Sequence, residues 1–192
     1  MSYGREGKVF YFDKKGPINT DMALELALAG CEERKIGKIV VASSTGKTAL
    51  RLHKKAAPSL EIIAVTYGAG SKYADEVQEF DRNHDTLVKQ GIRIVRGIHA
   101  LSGTERTFEN KYKSGFIPLN VVADTLRMFS QGMKVVVEVA VMAAEHGFVT
   151  PKEDVVVVAG SGHGADTAVV MKPAYAASMF DIKMRAVLCM PG

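Results

Sequence analysis

The feature of this sequence that most constrains its fold is a series of short, nearly all-apolar β-branched runs separated by longer segments of helical period. Lys38-Ile39-Val40-Val41-Ala42, Glu61-Ile62-Ile63-Ala64-Val65-Thr66 and Val155-Val156-Val157-Val158 are short for helices, and their successive apolar positions suit strands buried on both faces. Both faces of such strands must be covered. A chain that alternates them with helices does so through βαβ units around a parallel sheet. The expected fold class is α/β, a three-layer α/β/α sandwich with a mainly parallel sheet, as one domain over residues 1–192.

The remaining elements follow from period and punctuation. Val9 to Phe12 reads as a first strand, and Thr20-Asp21 as the cap of a helix ending at Gly30. A helix from about Lys47 to Lys55 precedes Pro58. Another, from about Ala74 to Gln90, places Val77, Phe80, His84, Leu87 and Val88 on one face. Ile92 to Val95 supplies a strand. The stretch from Gly97 to Gly115 has no clear period and reads as a ligand-covering loop. Leu119 to Ser130 and Met133 to His146 read as helices, the second polar only at Lys134, Glu138, Glu145 and His146; its valines also suit a strand, but its length and Gly147 favour helix. Ala168 to Met171 and Met184 to Leu188 read as extra antiparallel strands at the carboxyl end.

Composition narrows the partners. The 25 Lys plus Arg exceed the 21 Asp plus Glu by a net charge of only +4, and basic residues run no longer than the pairs Lys14-Lys15 and Lys54-Lys55. Neither nucleic acid nor a membrane surface is therefore expected as a partner. The two cysteines, Cys31 and Cys189, form no CxxC and have no histidine at ligand spacing, which argues against disulfide and zinc frameworks. Met1 to Lys8 contains no apolar leader core, so the expected compartment is the cytoplasm. A homo-oligomer is left open.

Two loops carry the chemistry. In the first, Ser43, Ser44, Thr45, Gly46, Lys47 and Thr48 join a buried strand to a helix start. Free N–H groups of a first helical turn, several hydroxyls and an ammonium suit a phosphate, although an ordinary capped turn would look the same. Walker A chemistry is not expected: GxxxxGK[ST] needs a glycine where Val41 stands. The second loop, Gly160, Ser161, Gly162, His163, Gly164, Ala165, Asp166 and Thr167, formally satisfies the GxGxxA dinucleotide fingerprint when read from Gly160. A strand-like segment follows it where a dinucleotide site needs a long helix. It reads either as a backbone cradle for a planar or phosphorylated ligand or as a flexible hairpin loop. His163 suits ligand hydrogen bonding or plain exposure. Thr66, Tyr67 and Gly68, with His99, should lie on the same rim, at the carboxyl ends of the strands, with Tyr67 either stacking on a ligand or packing. No metal site is expected.

On these loops the sequence resembles the carboxy-terminal α/β domain of pyruvate kinase. Lys38 to Ala49 with Ala57-Pro58 and Ile62 to Thr66 is similar to that domain's strand, threonine-rich effector loop, helix and following strand. Val137 to Gly147 and Lys152 to Gly160 are similar to its last helix, acidic turn and terminal strand. The resemblance implies a phosphate-ligand role for Ser43 to Thr48 and Gly160 to Thr167. It does not carry over kinase chemistry, which belongs to a (β/α)₈ barrel; a stand-alone domain without pyruvate kinase activity is expected. Lys47 stands where the family often has arginine, and Gly97 to Gly115 is an insertion. Stand-alone proteins of this type are associated with flavin mononucleotide (FMN) in the equivalent cleft. The expected function is thus binding of a phosphorylated small molecule, with FMN as the cofactor. The alternatives are a small flavin-dependent oxidoreductase, a sugar-phosphate or nucleotide sensor, and an assembly module using the 97–115 segment.

Overall fold

β-branched runs form the centre of the molecule because no other element buries successive Val and Ile side chains on both sides at once. The computed structural model describes residues 6–113 and 115–192. Met1–Arg5 and Ser114, which belong to the leader and 97–115 expectations, lie outside the described residues. The elements are β1 (Phe10–Phe12), α1 (Thr20–Arg34), β2 (Lys38–Ala42), α2 (Lys47–His53), β3 (Glu61–Tyr67), α3 (Ala74–Lys89), β4 (Arg93–Gly97), α4 (Glu105–Tyr112), α5 (Pro118–Arg127), α6 (Gln131–Glu145), β5 (Val155–Ala159), β6 (Thr167–Lys172) and β7 (Lys183–Pro191).

The strands form one seven-stranded sheet in the order β1-β7-β6-β5-β2-β3-β4. β5, β2, β3 and β4 run parallel, with Val40 opposite both Ile63 and Val157. β6 is antiparallel to β5 and β7, so it alone is reversed, and β1 adds parallel to the outer edge of β7. Alternate residues feed two cores. Ile39, Val41, Ile62, Ala64, Val156 and Val158 pack under Leu24, Leu52, Phe80 and Leu87 from α1, α2 and α3. Val40, Ile63, Val65, Val155 and Val157 pack under Val136, Val139, Ala140 and Ala143 of α6. This is the three-layer sandwich with a mainly parallel sheet.

The structure corrects several boundaries. β1 begins at Phe10, and β4 runs on to Gly97. α1 continues past Gly30 to Arg34; a Cβ at Gly30 would stand 2.5 Å from Leu188 Cδ1, so this glycine permits close helix–sheet approach. Thr20 is the first residue of α1 and does not cap it by side chain. On α3, Val77, Phe80 and Leu87 are buried as expected, but Val88 is 54% exposed and His84 also faces out. The 97–115 stretch contains the helix α4, none of whose residues is buried, which is why no apolar period announces it. The valine-rich segment before Gly147 is a helix, capped by Ser130 Oγ accepting from Met133 N at 2.9 Å.

Candidate functional site

The parallel strands β2, β3, β4 and β5 all end at one edge of the sheet, and α1, α2, α3 and α6 all begin there. A cleft of about 670 Å³ opens at this edge, lined among others by Thr20 of α1, Thr48 of α2, Glu76 of α3 and Gln131 of α6. Open parallel sheets place their ligands at this edge, where helix amino termini present unpaired N–H groups.

Ser43, Ser44, Thr45, Lys47 and Thr48 form one wall. Their turn is fixed from below. Ser43 N donates to Val65 O at 2.9 Å, Ser43 Oγ accepts from Ala49 N at 3.2 Å, and Thr66 Oγ1 donates to Ser44 O at 3.1 Å. Asn83 Nδ2 donates to Thr45 O at 2.8 Å. Gly46 closes the turn at φ 83°, facing Leu87 rather than the cleft. The Lys47 ammonium pairs with Glu79, which lines the same cleft, so an anion here would have to compete with that carboxylate.

Gly160, Gly162, His163 and Gly164 form a second wall, and His163 is exposed. This loop is anchored by the residues that follow it. Asp166 is fully buried; its Oδ2 accepts from Gly16 N at 2.9 Å and Ser161 N at 3.1 Å, and Thr167 Oγ1 donates to Oδ1 at 2.9 Å. Ala165 N donates to Thr20 Oγ1 at 3.0 Å. Gly164 sits at φ 71°, where a Cβ would lie 2.3 Å from Thr20 Oγ1. Ala165, Asp166 and Thr167 therefore lie beneath the cleft and shape its wall, while Ser161 faces a neighbouring hollow shared with Arg127 and Lys15. The loop leads into β6 and not into the long helix that a dinucleotide site needs.

Thr66, Tyr67 and His99 line the floor; Gly68 instead packs on the end of β4, where a Cβ would come 3.1 Å from Gly97 O. Tyr67 stacks with Tyr73 at 5.2 Å between centroids and with His99 at 5.3 Å. These neighbours pack its ring within the protein. Burial, with lesser contributions from Glu76, Tyr73 and Glu138, pushes the Tyr67 hydroxyl up to about 12.

Lys134 and Glu138 also belong to the cleft, outside the two loops and the rim that the sequence singles out. They are 5% and 1% exposed, ion-paired across one turn of α6, and both line the cleft. Glu138 Oε1 also accepts from Leu101 N at 3.2 Å, and Oε2 lies 3.3 Å from His99 Nδ1. Burial alone would raise the Glu138 carboxyl, but the His99 hydrogen bond and the Lys134 charge outweigh it and hold it down at about 2. The signal was in the sequence: two opposite charges four residues apart inside an apolar helical run. Arg51, Arg106, Arg127 and Gln131 complete the polar lining. Among the described residues, no group of three or more His, Cys, Asp or Glu side chains could hold a metal ion.

The fold and cleft together define a three-layer α/β domain that presents a polar, ligand-sized site at the carboxyl edge of its parallel strands. Residues 21–171 match the family described as pyruvate kinase, alpha/beta domain, and the chain belongs to that family.

Proposed function

We propose that the cleft binds a phosphate-bearing small molecule, with FMN as the leading ligand. One observation carries this reading: two loops more than a hundred residues apart, one rich in hydroxyls and one in glycine, wall a single cleft with the first turns of four helices. Those turns and the basic side chains Lys47, Arg51, Arg106, Arg127 and Lys134, against the acidic Glu76, Glu79 and Glu138, favour an anion. A cleft of about 670 Å³ has room for a ring system with a phosphorylated chain, and the His99–Tyr67–Tyr73 stack offers a flat neighbour.

A second reading, a sugar phosphate, draws support from the charged Lys134–Glu138 pair, which suits a hydroxyl- or carbonyl-bearing ligand better than an apolar ring. An ultraviolet-visible spectrum of the purified protein, as isolated and after addition of FMN and dialysis, tests the first reading. Retained flavin absorbance supports it, and a protein that takes up no flavin overturns FMN in favour of the sugar phosphate.

A further inference from the structure

The costliest arrangement in the cleft is the Glu138 cluster. An ion pair on an otherwise apolar helix face gives no clear gain in stability over packed hydrocarbon, so its presence at the cleft invites a functional explanation. Glu138 accepts from the Lys134 ammonium, from Leu101 N at 3.2 Å and, weakly, from Ser102 Oγ at 3.5 Å. Its Oε2 also lies 3.3 Å from His99 Nδ1, close enough for that nitrogen to donate to it. A neutral imidazole that donates Nδ1–H to a carboxylate carries its lone pair on Nε2. The stack on Tyr67 fixes the ring plane, and the His99 side chain, 31% exposed, lines the cleft. A base oriented by a buried third group, beside a buried cation and a candidate phosphate anchor, is the constellation used to move a proton next to a carbonyl.

Resting on the phospho-ligand reading above, though not on the flavin, we infer that His99 is a general base and acid acting on a phosphorylated α-hydroxycarbonyl compound, and that Glu138 is its positioning residue. His99 Nε2 takes the proton from the carbon beside the carbonyl, and the C–H electron pair moves into the new C=C bond as the carbonyl electrons pass to oxygen. The resulting enediolate oxygen accepts a hydrogen bond from the Lys134 ammonium. The imidazolium, stabilised by Glu138, then returns the proton to the neighbouring carbon as a hydroxyl proton shifts between the two oxygens. Atoms and electrons balance within the ligand, and no oxidant or metal is consumed.

The test incubates the whole protein with fructose 6-phosphate or ribulose 5-phosphate in D₂O. Deuterium at carbon is followed by proton NMR, and binding by broadening of the ³¹P line, with glycerol 3-phosphate as the carbonyl-free control. Protein-dependent incorporation is expected. His99→Gln should lower it about 10²- to 10⁴-fold while phosphate broadening persists. Glu138→Gln should lower it about tenfold or more and alter the Nδ1/Nε2 tautomer populations seen in ¹⁵N spectra of His99, which a purely structural carboxylate would leave alone. Broadening without incorporation, or incorporation undiminished in His99→Gln, overturns the inference and leaves the binding reading standing. Absence of broadening by any of the three phosphates overturns the inference together with the sugar-phosphate reading, and leaves FMN to be decided by the flavin spectrum.

Discussion

At the scale of single residues, the cleft depends on side chains that a ligand need not touch. Asp166 ties the glycine loop to the turn before α1 through three accepted hydrogen bonds. Asp166→Ala leaves buried donors without an acceptor and should cost about 3 kcal/mol, read as a lower urea midpoint at unchanged slope. Lys47 makes a contrasting case because its side chain is 68% exposed and already paired with Glu79. Lys47→Ala should therefore leave stability nearly unchanged. If Lys47 turns to a bound phosphate, the substitution weakens that ligand by about 1.5 kcal/mol, roughly tenfold, in a calorimetric titration. Unchanged affinity would remove Lys47 from the site. The positions were legible as two loops, but their division of labour was not. Whether a residue such as Thr20 or Asp166 faces the ligand or braces the loop depends on contacts some 145 or 150 residues away along the chain.

At the scale of elements, legibility follows burial. β5 buries every residue and β2 and β3 all but their end residues, so composition alone marks them, and α6 is recognisable by its length and the glycine that ends it. α4 has no buried residue, and eight residues of mixed polarity leave no period to detect. The same lack of anchoring has a dynamic consequence. Amides of α4 should exchange with solvent through local opening, orders of magnitude faster than those of β5, in a native-state hydrogen-exchange experiment. α6 stands at the opposite extreme. A Cβ at Gly132 in its first turn would lie 2.1 Å from Thr167 Oγ1 and 2.6 Å from Thr167 Cβ. Gly132→Ala gains up to about 1 kcal/mol of helix propensity yet has to displace the residue that bonds Asp166, at about 1–3 kcal/mol. Net destabilisation is expected, and a rise in thermal midpoint would show that α6 can shift without strain.

At the scale of the whole molecule, ionisable groups buried on both sides of the sheet set a pH window for stability. Glu138 is held at about 2 in the folded protein against an ordinary 4.5. An acid with a depressed folded pKa contributes stability that is complete above the unfolded value, and this contribution is lost as pH falls from about 4.5 towards 2. Cys31 and Cys189 act in the other direction. Burial pushes both thiols from 9.0 up to about 12, so the unfolded chain ionises first, and stability present below pH 9 declines as pH rises through 12. The alkaline slope approaches about 1.4 kcal/mol per pH unit for each thiol. Urea unfolding across pH should therefore give a plateau between roughly pH 5 and 9, falling on both flanks. Because the two causes are separate, they can be removed separately. Cys31→Ala should take one thiol's share out of the alkaline slope, leaving the shares of Cys189 and Tyr67 and the whole acid flank, whereas Glu138→Gln should lower the plateau and remove most of the acid dependence between pH 4.5 and 2. An acid flank that survives Glu138→Gln would mean that the buried carboxylate is not what the fold loses in acid, and that the charge network between α6 and His99 is weaker than its geometry implies.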